Sequence, residues 1–243
     1  MNQFKKTILK LHKYLAYIIF VQFSLWVLGG VVFAIIPFNE IIKSEGVVTK
    51  PVVNLPSGWQ ANLSLLNDEG IINISTFVSA TGPAYRLHLS SGAEITTSID
   101  GKPLPPVLDK QVLNFAKNIY KGKGEAVYVR YLTSSQYRLG IVDEMYGKKG
   151  VWQVGFADDY DSRLYFDGES GEYLKARNKY WVIYDFFWRL HTMDYKNGED
   201  INNLMLRLSS IAAFIFVLSG VLLSAYSLRN KASRFIRKYK YNR

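Results

Sequence analysis

At 243 residues, 49% of them apolar, the chain has the bulk composition of an ordinary soluble domain; the absence of cysteine excludes disulfides, thiolate metal sites, iron–sulfur clusters and covalently attached c-type haem. The formal charge of +10 is unevenly spread. All 20 acidic residues fall between Glu40 and Asp200, while residues 1–38 carry four lysines and residues 203–243 eight cations, with no acid in either end. Nothing in the basic tail resembles a module that reads nucleic acid, so the charge is read as topology and attraction to anionic lipid, with no nucleic-acid partner.

In chain order, the basic N-terminus (1–13) leads into Tyr14–Phe38, 25 residues without a charge. As a helix this run is about 37 Å long, enough to cross a bilayer with some tilt. Its length, and the lack of a small-x-small site before Asn39, predict an uncleaved signal anchor. A second uncharged run, Leu208–Leu228, lies within a span predicted at 203–228, and a basic tail (229–243) follows. The positive-inside rule predicts both termini in the cytoplasm and residues 39–202 translocated, as in a bacterial inner-membrane protein with a periplasmic domain.

That middle region predicts an α+β domain: two transmembrane helices flank an extracytoplasmic antiparallel sheet with a packed helix. Ile71–Ala80 and Ala84–Leu89 alternate apolar and polar residues around a Thr-Gly-Pro turn, predicting a hairpin. Glu94–Ile99 predicts a third strand. Asp109 is expected to cap a helix whose apolar face is Val112, Phe115, Ala116 and Ile119. Strands are expected at Ala126–Leu132, Gln136–Ile141 and Val151–Ala157, then at Ser162–Phe166 before the DGESGE turn and from Tyr173 after it. Asp158, Asp159 and Asp161 occupy an apparent hairpin turn, where Asp is favoured for backbone reasons; weak calcium binding is the other reading.

The order LNFAKNIYKGKGEAVYV then VWQVGFADDYDSRLYFDGESGEYLKAR resembles the PepSY domain, a small α+β unit of protease propeptides and membrane proteins. LHKYLAY at the entry to the first span, and WRLHTMDY ahead of a span containing LSGVLL, are similar to the PepSY-associated transmembrane family. Members resembling iron-siderophore reductases often have four spans, whereas this chain has one pair. No flavin, nicotinamide or P-loop motif is present, so the resemblance implies an electron donor on another protein, such as a cytoplasmic flavin reductase. Hydrolase motifs are also absent.

Three histidines exist: His12, His88 and His191. His88 lies in a strand between two leucines and is expected on the solvated face without a role. His12 and His191 match the histidines that ligate haem b in the family resembled. Helical spacing would align Tyr184, Trp188, His191 and Tyr195 as a cradle for the macrocycle. The competing reading makes Trp181, Tyr184, Phe187 and Trp188 an interfacial aromatic belt (180–195) with Arg189 at the headgroups. A full span between the histidines would separate them by about 35–40 Å, too far to share an iron, so haem would require a second copy or another membrane subunit. Gly29, Gly30, Ser209, Ala213, Ser219 and Gly220 offer small residues for such contacts. The expected function is therefore a membrane component of an electron-transfer or metal-reduction system. The alternative is a non-enzymatic anchored module whose domain binds or restrains a periplasmic partner such as a protease.

Overall fold

A computed structural model describes residues 3–43, 46–55, 57 and 70–241. Residues 58–69, part of the domain expected between the spans, lie outside the described residues. The chain divides into two compact units: one gathers the residues up to Ala34 with those from Phe187 on, and the other is Ile35–Phe186.

The first unit holds two helices long and apolar enough to cross a membrane, α1 (Gln3–Ile35) and, at the other end of the chain, Leu204–Tyr241. Helix α1 stops before Pro37, which disfavours helical geometry at the residue ahead of it. Most large apolar side chains on both helices face outward, among them Ile18 at 74% and Leu228 at 67% exposure. In a soluble protein such helices would be the most buried elements. Among the described residues, only Ile19 and Gly29 on the first and Ser219 on the second are buried.

The second unit begins with one wide helical turn, Phe38–Ile42, closed by the Lys43 N–H on the Phe38 carbonyl. Strands β1 (Ile71–Ser79), β2 (Gly82–Leu89) and β3 (Glu94–Ser98) form an antiparallel meander in that order. The expected hairpin is present, and Gly82 and Gly92 carry the positive φ of the meander's two turns. His88 is half-exposed, and its Nδ1 lies 3.1 Å from Glu94 Oε1 across the strands.

Helix α2 (Asp109–Ile119) buries Val112, Ala116 and Ile119, with Phe115 packed beside them, as its spacing predicts. Asp109 is not the cap. Leu108 occupies that position, its N–H donating to Gln111 Oε1, and Asp109 is already the first helical residue. The cap preference of Asp is overridden because the Gln111 side chain satisfies the terminus from inside the helix.

The helix lies on a four-stranded antiparallel sheet built from β4 (Ala126–Leu132), β7 (Val151–Phe156), β8 (Arg163–Asp167) and β9 (Tyr173–Arg177), in that order. Strand alternation divides its side chains. Val154, Phe156, Leu164 and Phe166 meet α2, whereas Val151, Gln153, Arg163 and Tyr165 point to the opposite face. There a small hairpin, β5 (Tyr137–Arg138) and β6 (Val142–Asp143), brings Met145 and Glu144 over the sheet. The strand expected over Gln136–Ile141 is thus only two residues long. Leu139 and Gly140 at positive φ turn the chain in its middle.

Tyr120, just past α2, stacks on Phe156 at 3.8 Å and donates to Asp158 Oδ2. Burial, and then the hydrogen bond to Asp158, push its hydroxyl up to about 12; burial likewise pushes Tyr173 up to about 12. An unfolded tyrosine ionises near pH 10, so these groups favour the folded state below about pH 10, and that contribution disappears as pH rises toward about 12. Alkaline titration read by tyrosinate absorbance is therefore expected to show a late, cooperative step in this window, coincident with loss of the folded signal. Titration of every tyrosine near pH 10 with the fold intact would contradict this packing.

Helix α3 (Lys179–Thr192) starts under a side-chain cap, Asn178 Oδ1 accepting the Trp181 N–H. The boundary between the two units falls inside it, at Phe186–Phe187. Helix α4 (Leu204–Tyr241) is capped in the same way by Asn203 Oδ1 on the Leu206 N–H.

Candidate functional site

Within the first unit, the last turn of α3 lies along the apolar run of α1. Gln22 Nε2 donates to the Leu190 carbonyl and Trp26 Nε1 to the His191 carbonyl, both at 2.9 Å. Asn203 Nδ2 donates to the Thr192 carbonyl. The terminal carbonyls of a helix lack internal partners, and in an apolar medium each must find another. Gln22 and Trp26 supply two of those donors from inside the uncharged stretch. Sequence reading passed over both, although a Gln within an uncharged run is itself a sign that something polar faces it.

His191 stands among three aromatic rings. Trp188, one turn before it, is nearly parallel at 6.3 Å, with Trp26 at 6.0 Å and Phe33 edge-on at 5.9 Å. Its Nδ1 is buried with no hydrogen-bond partner among the described residues.

The loop after α3 is tied down by Asp194, whose carboxylate accepts the N–H groups of Lys196, Asn197, Glu199 and Asp200. Burial alone would raise its pKa, but these four donors outweigh that and hold it below the usual carboxylate range. Trp188 Nε1 donates to the Gly198 carbonyl and Arg189 to the Lys196 carbonyl, both at 2.7 Å.

This arrangement changes several expectations. Arg189 is fully buried against its own loop and does not meet headgroups. Trp181 is 4% exposed in a cluster with Ile42, Val142 and Val182, with the Arg177 guanidinium 4.0 Å above its ring, so it is no belt residue. Tyr184 packs on Phe38 at 5.7 Å in the second unit. Tyr195 leaves the stripe altogether: α3 ends at Thr192, and Met193 at positive φ redirects the chain. Of the expected cradle, the structure brings together His191 and Trp188, and it adds Trp26 and Phe33 from α1.

His12 sits where α1 and α4 meet. Its ring stacks on Phe216 at 4.3 Å, and its Nδ1 is 2.7 Å from Ser219 Oγ. Ser219 Oγ also donates to the Phe216 carbonyl at 2.6 Å, an arrangement that suits the tautomer with the His12 proton on Nδ1. In the neutral imidazole this leaves the lone pair on Nε2. Gly220 faces the same ring, and a Cβ there would lie 3.3 Å from His12 Cε1. Ser219 and Gly220 thus pack on α1 of their own chain, while Gly30 has open space around it.

The helix pairing also shortens the distance between the histidines. His191 lies beside Trp26, fourteen positions along α1 from His12, which is about 21 Å of helical rise in place of the 35–40 Å expected. Axial nitrogens of one iron are only about 4 Å apart, so a shared iron is still excluded. By donor chemistry each imidazole is of the type that ligates a haem b: His12 has one ring nitrogen anchored by Ser219, and His191 lies within an apolar aromatic surround. No group of three or more metal-ligating side chains occurs among the described residues.

The aspartate turn is structural. Asp158 accepts from Tyr120 and from the N–H groups of Tyr160 and Ser162, and Asp161 binds the Arg163 guanidinium at 2.5 Å. The calcium reading loses its free carboxylates at these two positions.

Comparison with known proteins finds no match: no family model matches the chain, and neither a curated protein nor a solved structure is similar to it.

Proposed function

We propose that this chain is a two-span component of a bacterial inner-membrane electron-transfer or metal-reduction system, with both termini cytoplasmic and the PepSY-like domain periplasmic. In this reading His12 and His191 would each hold a haem b, together with a residue of a second copy or of another membrane subunit. The observation that carries it is the His12–Ser219–Phe216 chain of hydrogen bonds, which anchors one nitrogen of the ring and, with the proton on Nδ1, would leave Nε2 as a ligand. When bound, haem would supply one-electron chemistry at two levels of the bilayer. The protein would hold the ligand rings in fixed orientation, with Ser219 positioning His12 and the Trp26, Phe33 and Trp188 rings enclosing His191. Electrons would come from a separate cytoplasmic flavin reductase.

The full chain, expressed with haem supply and purified in detergent, is expected to give sharp reduced-minus-oxidised bands of low-spin b-type haem. His12→Ala and His191→Ala should each remove about one equivalent. A featureless spectrum from folded protein would overturn the haem reading and favour the non-enzymatic anchored module.

A further inference from the structure

The ends of α1 and α4 beyond His12 enclose a groove of about 240 Å³. Phe4 and Ile8 from α1, with Leu222 and Tyr226 from α4, make an apolar floor, and Lys5 and Arg229 stand over it. The floor is open: Phe4 is 62% and Leu222 53% exposed. Lys5 Nζ lies 5.2 Å above the Tyr226 ring, which fixes one cation beside the apolar surface. Neither helix contains an acidic residue, so the two charges have no counter-ion in their own unit among its helices.

We infer that this groove is a binding site for one anionic phospholipid, with an acyl chain on the Phe4–Ile8–Leu222 floor and the headgroup phosphate between Lys5 and Arg229. Two features select this occupant. The cations demand an anion, and the apolar floor demands a hydrocarbon attached to it; basic pockets between membrane helices recognise such headgroups. A second copy of the chain is disfavoured because it would bring the same uncompensated positive charge into the groove. The inference rests on the reading that both helices cross a bilayer. Its consequence is that the lipid would bridge α1 and α4 beyond the His12–Ser219 contact, holding the register that aligns those two residues.

The test uses the full chain in detergent, stripped of lipid and then titrated with phosphatidylglycerol or phosphatidylcholine under native mass spectrometry. One phosphatidylglycerol adduct per chain is expected, retained over phosphatidylcholine. Lys5→Ala or Arg229→Ala should weaken it about fivefold each, and the double variant about thirtyfold. Lys231→Ala, outside the groove, should leave it unchanged. Equal retention of both lipids, an unchanged double variant, or displacement by millimolar inorganic phosphate would overturn the site. Carbonate extraction of membranes separates the two ideas. A chain that resists extraction but shows no selective adduct overturns the lipid site alone, whereas a chain released by carbonate overturns the spanning reading and the site with it.

Discussion

Glu144→Ala is expected to destabilise the sheet domain by about 3–5 kcal/mol, the penalty for leaving a buried charge without its partner. Arg163 is fully buried, and both Glu144 carboxylate oxygens accept from its Nε at 3.0 Å. The same carboxylate accepts a hydrogen bond from the Tyr165 hydroxyl and lies 3.4 Å from Arg138 Nε. Gln153 extends the network by donating to the Tyr165 oxygen and accepting from Arg130 Nε at 2.6 Å. Removing Glu144 would strand the guanidinium beneath the sheet with only Asp161 left to it. Domains are stable by only about 5–15 kcal/mol in total, so this loss would be a large fraction. The check is urea unfolding of the full chain in detergent, followed by tryptophan fluorescence, with a lower midpoint and unchanged slope expected. A second signal should accompany it. Burial, and then the Glu144 charge and hydrogen bond, raise the Tyr165 pKa, so this tyrosine should ionise at lower pH in the variant. A change below about 1 kcal/mol would mean that solvent reaches Arg163 and the network is peripheral.

Gly168→Ala should destabilise the same domain by about 3 kcal/mol, at the upper end of overpacking effects. A Cβ at Gly168 would overlap the Gly150 carbonyl oxygen and stand 2.8 Å from the Tyr131 hydroxyl. The obstruction is backbone, and it cannot retreat easily: Gly150 sits at positive φ with its N–H on the Leu132 carbonyl. The turn that follows also joins the two larger sheets, because Ala80 donates to the Gly171 carbonyl and Arg86 pairs with Glu172. Shifting it should therefore loosen the meander as well as the four-stranded sheet. Gly30→Ala, where nothing lies within 4 Å of the new Cβ, is the matching control and should change stability by no more than about 0.5 kcal/mol. Equal effects of the two substitutions would show that the close approach at Gly168 relaxes freely.

Local pattern made most of the elements readable. The uncharged runs mark the two long helices, because burial of apolar side chains against lipid or protein leaves no periodic polar face. Strict alternation marks β1 and β2, and 3.6-residue spacing marks the buried face of α2, since both are properties of consecutive residues. The even spacing of Tyr184, Trp188, His191 and Tyr195 was misleading for the same reason: periodicity does not register a helix end imposed by Met193 at positive φ.

What depends on residues distant in the chain required the fold. His12 is hydrogen-bonded to Ser219, 207 positions away, and carbonyls ending α3 are satisfied by Gln22 and Trp26 more than 160 positions earlier. Glu144 and Arg163 become one buried ion pair only when β8 and the β5–β6 hairpin close on the same face. Composition and spacing are one-dimensional and determine which face of each element is apolar; the pairing of polar atoms across elements is decided by tertiary packing, where every buried donor and acceptor must find a partner in three dimensions.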